Sequence, residues 1–120
     1  MEILSRLQMW YVVQCNGDWE HSSGITITSL DNPGWLVKID LEGTALDNKE
    51  FRTILKNASP EFLEQAMGKV QPPYTAAGPL VKDDWMVCFV HNRKFEGAGD
   101  PAKLEKILSV FLDWAGSTLP

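Results

Sequence analysis

The run WMVCFV, Trp85 to Val90, constrains the fold of this chain more than any other feature. Side chains alternate between the two faces of a strand, and in this run both faces would be wholly apolar. This pattern predicts a central strand that is covered on both sides. The run is far shorter than the ~20 residues that span a bilayer, so we expect a strand in the core and no membrane span.

Two amphipathic helices are predicted to cover such a strand. In residues 2–14 one helical face carries Ile3, Leu7, Trp10 and Gln14, and Asn16-Gly17 would end the helix. The segment DPAKLEKILSVFLDWAG predicts a second helix, with Asp100 as its N-cap and Pro101 at its first position. Its apolar stripe is formed by Leu104, Ile107, Leu108, Phe111, Leu112 and Ala115.

The segments GITITSL and WLVKIDL predict two strands joined by the turn sequence DNPG. A four-residue loop would place Ile25 and Ile27 opposite the polar face of the second strand. Alignment of these two residues with Val37 and Ile39 needs an odd offset, because one residue of slip turns every side chain to the other face. We therefore predict a three-residue loop or a bulge near Gly34.

The rest of the chain predicts weaker elements. FRTIL is typical of a short strand, and SPEFLEQAMGKV predicts a helix with Ser59 as its cap. Residues 71–79, QPPYTAAGP, predict a loop, and GAGDP (97–101) predicts a tight turn into the last helix. The order α-β-β-β-α-β-α indicates a single α+β domain over residues 1–120, with a mostly antiparallel sheet of about four strands and the two terminal helices packed on it.

The charge of the chain restricts its partners. The formal net charge is −5, and residues 1–46 contribute six acids against two bases. Such an excess argues against nucleic acid and anionic membrane as partners and favours a basic one. The start, MEILSRLQMW, lacks the pattern of a signal peptide, so we expect a cytoplasmic protein with reduced cysteines.

The stretch QCNGDWEH, Gln14 to His21, concentrates groups that could carry chemistry. A metal site is disfavoured because no paired ligand spacing accompanies Asp18, Glu20 and His21. The thiol Cys15 could pair with His21 as a nucleophile and base, but a buried structural thiol is the favoured interpretation. Carboxylate hydrolysis would need two acids at a defined separation, which spacing cannot show.

No catalytic residue, metal or cofactor is therefore assigned, and the candidate site is a partner-binding surface. It comprises Asp18, Trp19, Glu20 and His21, joined by Asp83 and Asp84. The indole of Trp19 lies between two acids, so it is either a packed side chain or an exposed anchor for a partner.

Five blocks of the chain resemble immunity protein family 53 of bacterial polymorphic toxin systems. They are WYVVQCNGDWEHSSGITI, LDNPGWLVKIDLEGT, DWMVCFV, KFEGAGDP and LEKILSVFLDW, which cover nearly the whole chain. The resemblance implies a small cytosolic protein that binds and neutralises a toxin encoded beside it, without catalysis. A basic nuclease is one class of toxin that an acidic inhibitor would fit.

Two other functions stay open at this point. One is a small hydrolase or sulfurtransferase that uses Cys15, His21 or the acidic residues. The other is a small-ligand binding module with a pocket lined by the 71–79 loop. The toxin and the oligomeric state are not specified by the sequence.

Overall fold

A computed structural model describes residues 2–66 and 83–117 of the chain. Its elements follow the order α1 (Ile3–Gln14), α2 (Trp19–Ser22), β1 (Ile25–Leu30), β2 (Gly34–Asp40), β3 (Ile54–Lys56), α3 (Pro60–Ala66), β4 (Met86–His91), β5 (Lys94–Gly99) and α4 (Leu104–Ala115). The α+β class and the antiparallel sheet are thereby confirmed. The described residues contain one strand and one short helix, β5 and α2, that the sequence did not predict.

The five strands form one sheet in the order β1-β2-β5-β4-β3, and every neighbouring pair is antiparallel. In the first hairpin Leu30 pairs with Gly34, and Ile27 pairs with Val37. The connecting loop is therefore three residues long, as the alternation of apolar side chains predicted. This register places Ile25, Ile27, Val37 and Ile39 on one face of the sheet.

The central strand β5 corrects the prediction of a tight turn at GAGDP. Glycines weaken strand propensity, but here they make room for α4. A Cβ added to Gly97 would lie 2.4 Å from Cγ2 of Ile107, and one added to Gly99 would lie 2.7 Å from Cβ of Lys103. The helix thus lies so close to β5 that larger side chains would force it away.

Both faces of β4 are buried, which confirms the prediction from its apolar pattern. On one face, Cys88 packs beneath α4 in a core that includes Phe95, Ile107 and Phe111. On the other face, a second cluster holds Trp85, Val87, Phe89 and Ala98, with Phe62 and Leu63 of α3 packed against it. Burial of the Cys88 thiol raises its pKa to about 12, as expected for a thiol in the core.

The last helix begins at Leu104, later than predicted, and Asp100 is not its N-cap. The carboxylate of Asp100 is 1% exposed and accepts hydrogen bonds from the backbone N–H groups of Trp85 and Ala102 and from Nζ of Lys103. Burial pushes the pKa of Asp100 up, but these donors together hold it below its ordinary value. Its carboxylate therefore joins the start of β4 to the turn before α4.

The remaining predictions are met in part. The third strand begins at Ile54, three residues into FRTIL. Ser59 caps α3, because its Oγ accepts a hydrogen bond of 3.1 Å from the N–H of Phe62. The rest of that predicted helix beyond Ala66, and the predicted loop at 71–79, lie outside the described residues. Among the helices that are described, none has the length and apolar character to cross a membrane.

Candidate functional site

The segment after α1, residues 15–21, is a stiff, hydrogen-bonded loop that runs into the single turn of α2, and it is called the acidic loop below. Gly17 has a φ of 88°, a left-handed conformation that glycine adopts without strain. The side-chain oxygen of Asn16 accepts from the N–H groups of Asp18 and Trp19, each at 2.9 Å. The carboxylate of Glu20 accepts from the N–H groups of Asn16 and Gly17, at 2.9 and 2.7 Å. The sequence thus encodes a loop whose own polar side chains fix its shape.

Trp19 is turned inward. It is 6% exposed, and its Nε1 donates a 3.0 Å hydrogen bond to the carbonyl oxygen of Glu42. Its ring meets those of Trp10 and Tyr11 edge-on, with centroids 6.1 and 6.0 Å away. The sequence left two roles open for this indole, a packed side chain or an exposed anchor, and the structure shows the packed side chain. Trp19 therefore anchors the loop and presents little surface to a partner.

The other members of the loop differ in exposure. Asp18 and His21 are exposed, and within the described part of the chain the carboxylate of Asp18 has no hydrogen-bond or ion-pair partner. Glu20 is half-buried, and hydrogen bonds from its own N–H and from those of Asn16 and Gly17 lower its pKa. The electrostatic influence of His21 on Glu20 acts in the same direction. The carboxylate of Glu20 therefore carries charge near neutral pH.

A second group of acids lies beside the loop, where the residues after β2 meet the β4–β5 turn. Arg93 donates to Glu42 at 2.6 Å and to Asp47 at 2.9 Å, and it makes a second contact with Asp47. The hydrogen bonds from Arg93 lower the pKa of Asp47. Because Arg93 offsets part of this charge, Asp18 is the acid at this end that remains available to another molecule.

Sequence reasoning missed Glu42, Asp47 and Arg93, because their contacts join segments about fifty residues apart. One local signal was present. Asn92 and Arg93 both have positive φ, 53° and 60°, which is typical of the two-residue hairpin turn that often contains Asn. The sequence HNRK between two apolar runs could have indicated that turn and, with it, β5.

Asp83 and Asp84 lie away from the loop. Asp84 precedes the start of β4, where Met86 pairs with Gly99, whereas the loop contacts the opposite end of the strands, where Asp40 pairs with Lys94. Six residues of strand separate these ends by roughly 20 Å. Asp84 is also held by Lys103 at 2.8 Å and Lys56 at 3.0 Å, and these partners lower its pKa. The structure does not bring the predicted residues into one cluster.

The thiol of Cys15 is partly exposed and not buried as predicted, because α1 ends at the surface there. Its Sγ donates to the carbonyl oxygen of Tyr11 at 3.3 Å. Residues 2–66 and 83–117 show no hydrogen bond between Cys15 and His21, and no group of three His, Cys, Asp or Glu side chains with the spacing of a metal site. What the arrangement offers chemically is a fixed negative surface.

The fold and this surface define a small α+β domain with a stiff acidic loop at one end of an antiparallel sheet. Comparison with protein families gives the more particular result. A model described as immunity protein 53 matches residues 4–116, so the chain belongs to that family, and the resemblance seen in the sequence is confirmed. Neither the curated proteins nor the solved structures include a match.

Proposed function

We propose that this chain neutralises a toxin protein by binding it in a stoichiometric complex, without catalysing a reaction. The observation that carries the proposal is the match of residues 4–116 to the immunity protein 53 family, whose description names a protective role. Protection by occlusion needs a stable complementary surface and no reactive group. The protein would act in the cytoplasm of the cell that makes the toxin.

The acidic end of the sheet is the surface on which we propose that the toxin binds. Asp18 and His21 are exposed there, while Trp19 and Glu20 hold the loop in place. A loop fixed in advance loses little conformational entropy on binding, which favours affinity. An unpaired carboxylate attracts a basic partner and raises the association rate, so a basic nuclease is a toxin class that this surface suits.

Co-expression with the toxin encoded beside this chain tests the proposal. We expect cells to survive and the two proteins to purify together. Cells that die although the folded chain is present at equal or higher level would overturn the proposed function. The toxin used for purification carries an inactivating substitution, so that the complex can be isolated whatever the outcome for survival.

A charge reversal tests the position of the surface. Asp18→Lys should slow association with the toxin about tenfold at low salt, since it replaces an attraction with a repulsion. Asp83→Lys is the matched control, because this exposed acid lies at the other end of the strands. Equal effects of the two substitutions would show that both ends contact the toxin, as the sequence predicted. If Asp18→Lys does not change the association rate, the acidic loop is not part of the interface.

A further inference from the structure

The outward face of α1 carries four exposed apolar side chains. Val12 and Val13 are 65% and 77% exposed, and Leu4 and Met9 are also largely open to solvent. These four side chains are called the α1 strip below. Between Ile3 and Gln14 the helix has a single charged residue, Arg6, and it is paired with Asp113 of α4.

The strip lies opposite the face that α1 packs on the domain. Leu7 is buried there, and Ile3 and Trp10 are packed against the main core. The helix thus carries apolar side chains on its outward face as well as on its packed face, a pattern that is typical of helices covered on both sides. Solvent-facing helix positions normally carry charge, so an exposed apolar strip on a short surface helix indicates an interaction site.

The apolar surface continues beyond α1. A shallow groove of about 370 Å³ runs between the helix and the edge strand β1, and Ile27 on that strand is also partly exposed. The groove is lined by Leu7, Gln8, Tyr11, Gly24 and Ile25. Leu7, Gln8 and Tyr11 of α1 line one side of the groove, so it adjoins the helix that carries the strip.

The charges around this surface select the kind of partner. Glu2 and Glu105 lie beside Leu4 at the start of α1, and Asp18 follows the helix at its other end. A second copy of this chain, packed through α1 in either direction, would bring acid against acid. A partner with basic residues around an apolar patch would instead form ion pairs with the acids at both ends of α1.

We propose that the α1 strip is the apolar centre of the docking surface for the toxin, and that the matching toxin surface carries aliphatic or aromatic side chains ringed by Lys and Arg. This inference rests on the proposed function. A helix of twelve residues is about 18 Å long, too small to bury the ~800 Å² per partner of a typical stable interface. The acidic loop supplies the polar rim, which gives the arrangement usual for interfaces, with an apolar centre and charges at the edge.

The test is a pair of polar substitutions on the strip. Val12→Gln with Val13→Gln removes apolar contact area without adding charge, and both positions are exposed, so the fold should be retained. The matched control is Leu55→Gln, which changes an exposed apolar residue on β3, at the opposite edge of the sheet. Affinity for the inactivated toxin is measured by calorimetry, and thermal unfolding of each variant is measured alone.

We expect the double variant to bind the toxin on the order of a hundredfold more weakly, with unchanged thermal unfolding, while Leu55→Gln binds as tightly as the unaltered chain. Wild-type affinity in the double variant would overturn the inference and leave the proposed function standing. An unaltered chain that does not bind would refute the proposed function itself. A dimer that the double substitution dissociates would show that the strip binds a second copy, which also overturns the inference.

Discussion

Replacing Trp19 with alanine removes the side chain that attaches the acidic loop to the rest of the domain. Substitution of a buried tryptophan by alanine costs roughly 3–5 kcal/mol, which includes the cavity that it leaves. Loss of the hydrogen bond to the carbonyl of Glu42 and of the edge-on contacts with Trp10 and Tyr11 belongs to that cost. We therefore expect the free energy of unfolding to fall by about 4 kcal/mol.

A drop of this size is a large share of the stability of a single domain, for which roughly 5–15 kcal/mol is typical. Urea denaturation followed by tryptophan fluorescence and circular dichroism should show a midpoint lower by about 2 M. Trp19→Phe removes the indole N–H together with part of the ring, so it should cost less than Trp19→Ala but more than the ~1 kcal/mol of a hydrogen bond alone. Trp35→Phe is its control, since the Nε1 of the half-buried Trp35 also donates to a backbone carbonyl, that of Pro101, in a hydrogen bond open to solvent. An unchanged midpoint for Trp19→Ala would refute the anchoring role.

Two further predictions concern the core beneath α4. Gly97→Ala should lower the free energy of unfolding by roughly 1–3 kcal/mol in urea titrations, because the added Cβ would meet Ile107. Gly24→Ala is the control and should be neutral or slightly stabilising, because nothing lies within 4 Å of a Cβ added there. Asp100→Asn should cost about 2–3 kcal/mol at pH 7, since it removes the charge from the buried acceptor of the hydrogen bond from Lys103. Folding lowers the pKa of Asp100. The carboxylate therefore makes its full contribution to the free energy of unfolding above its ordinary pKa, near 4, and this contribution is lost as the pH falls through the pKa of the folded state. The difference in the free energy of unfolding between the unaltered chain and Asp100→Asn should therefore shrink as the pH falls below about 4. A difference that stays constant would contradict the assigned role of the Asp100 carboxylate.

The hairpin register shows what the sequence could predict. Alternation over Ile25, Ile27, Val37 and Ile39 fixes which residues face the core, and of the two solutions that it allowed, a three-residue loop or a bulge, the structure has the loop. The apolar stripe of α4 was predictable for the same reason, because burial imposes the period of the helix on the sequence. Both patterns are local, and each is repeated over several residues.

The elements that were missed or misplaced depend on contacts between distant segments. The glycines of β5 are typical of a turn until the close approach of α4 is known, which no local pattern shows. Asp100 resembles a helix cap, but it is held by the N–H of Trp85, fifteen residues earlier. The inward position of Trp19 depends in the same way on Glu42, a residue beyond the next two strands.

The central claim is that this chain inhibits a toxin by forming a complex with it, and a titration of toxin activity tests that claim most directly. Increasing amounts of the chain are added to a fixed concentration of active toxin, well above the dissociation constant, and the residual activity is measured. Inhibition by a one-to-one complex predicts a linear fall that reaches zero at one equivalent, with a complex of matching mass by light scattering. Complete loss of activity at a small fraction of an equivalent, with no complex formed, would contradict it.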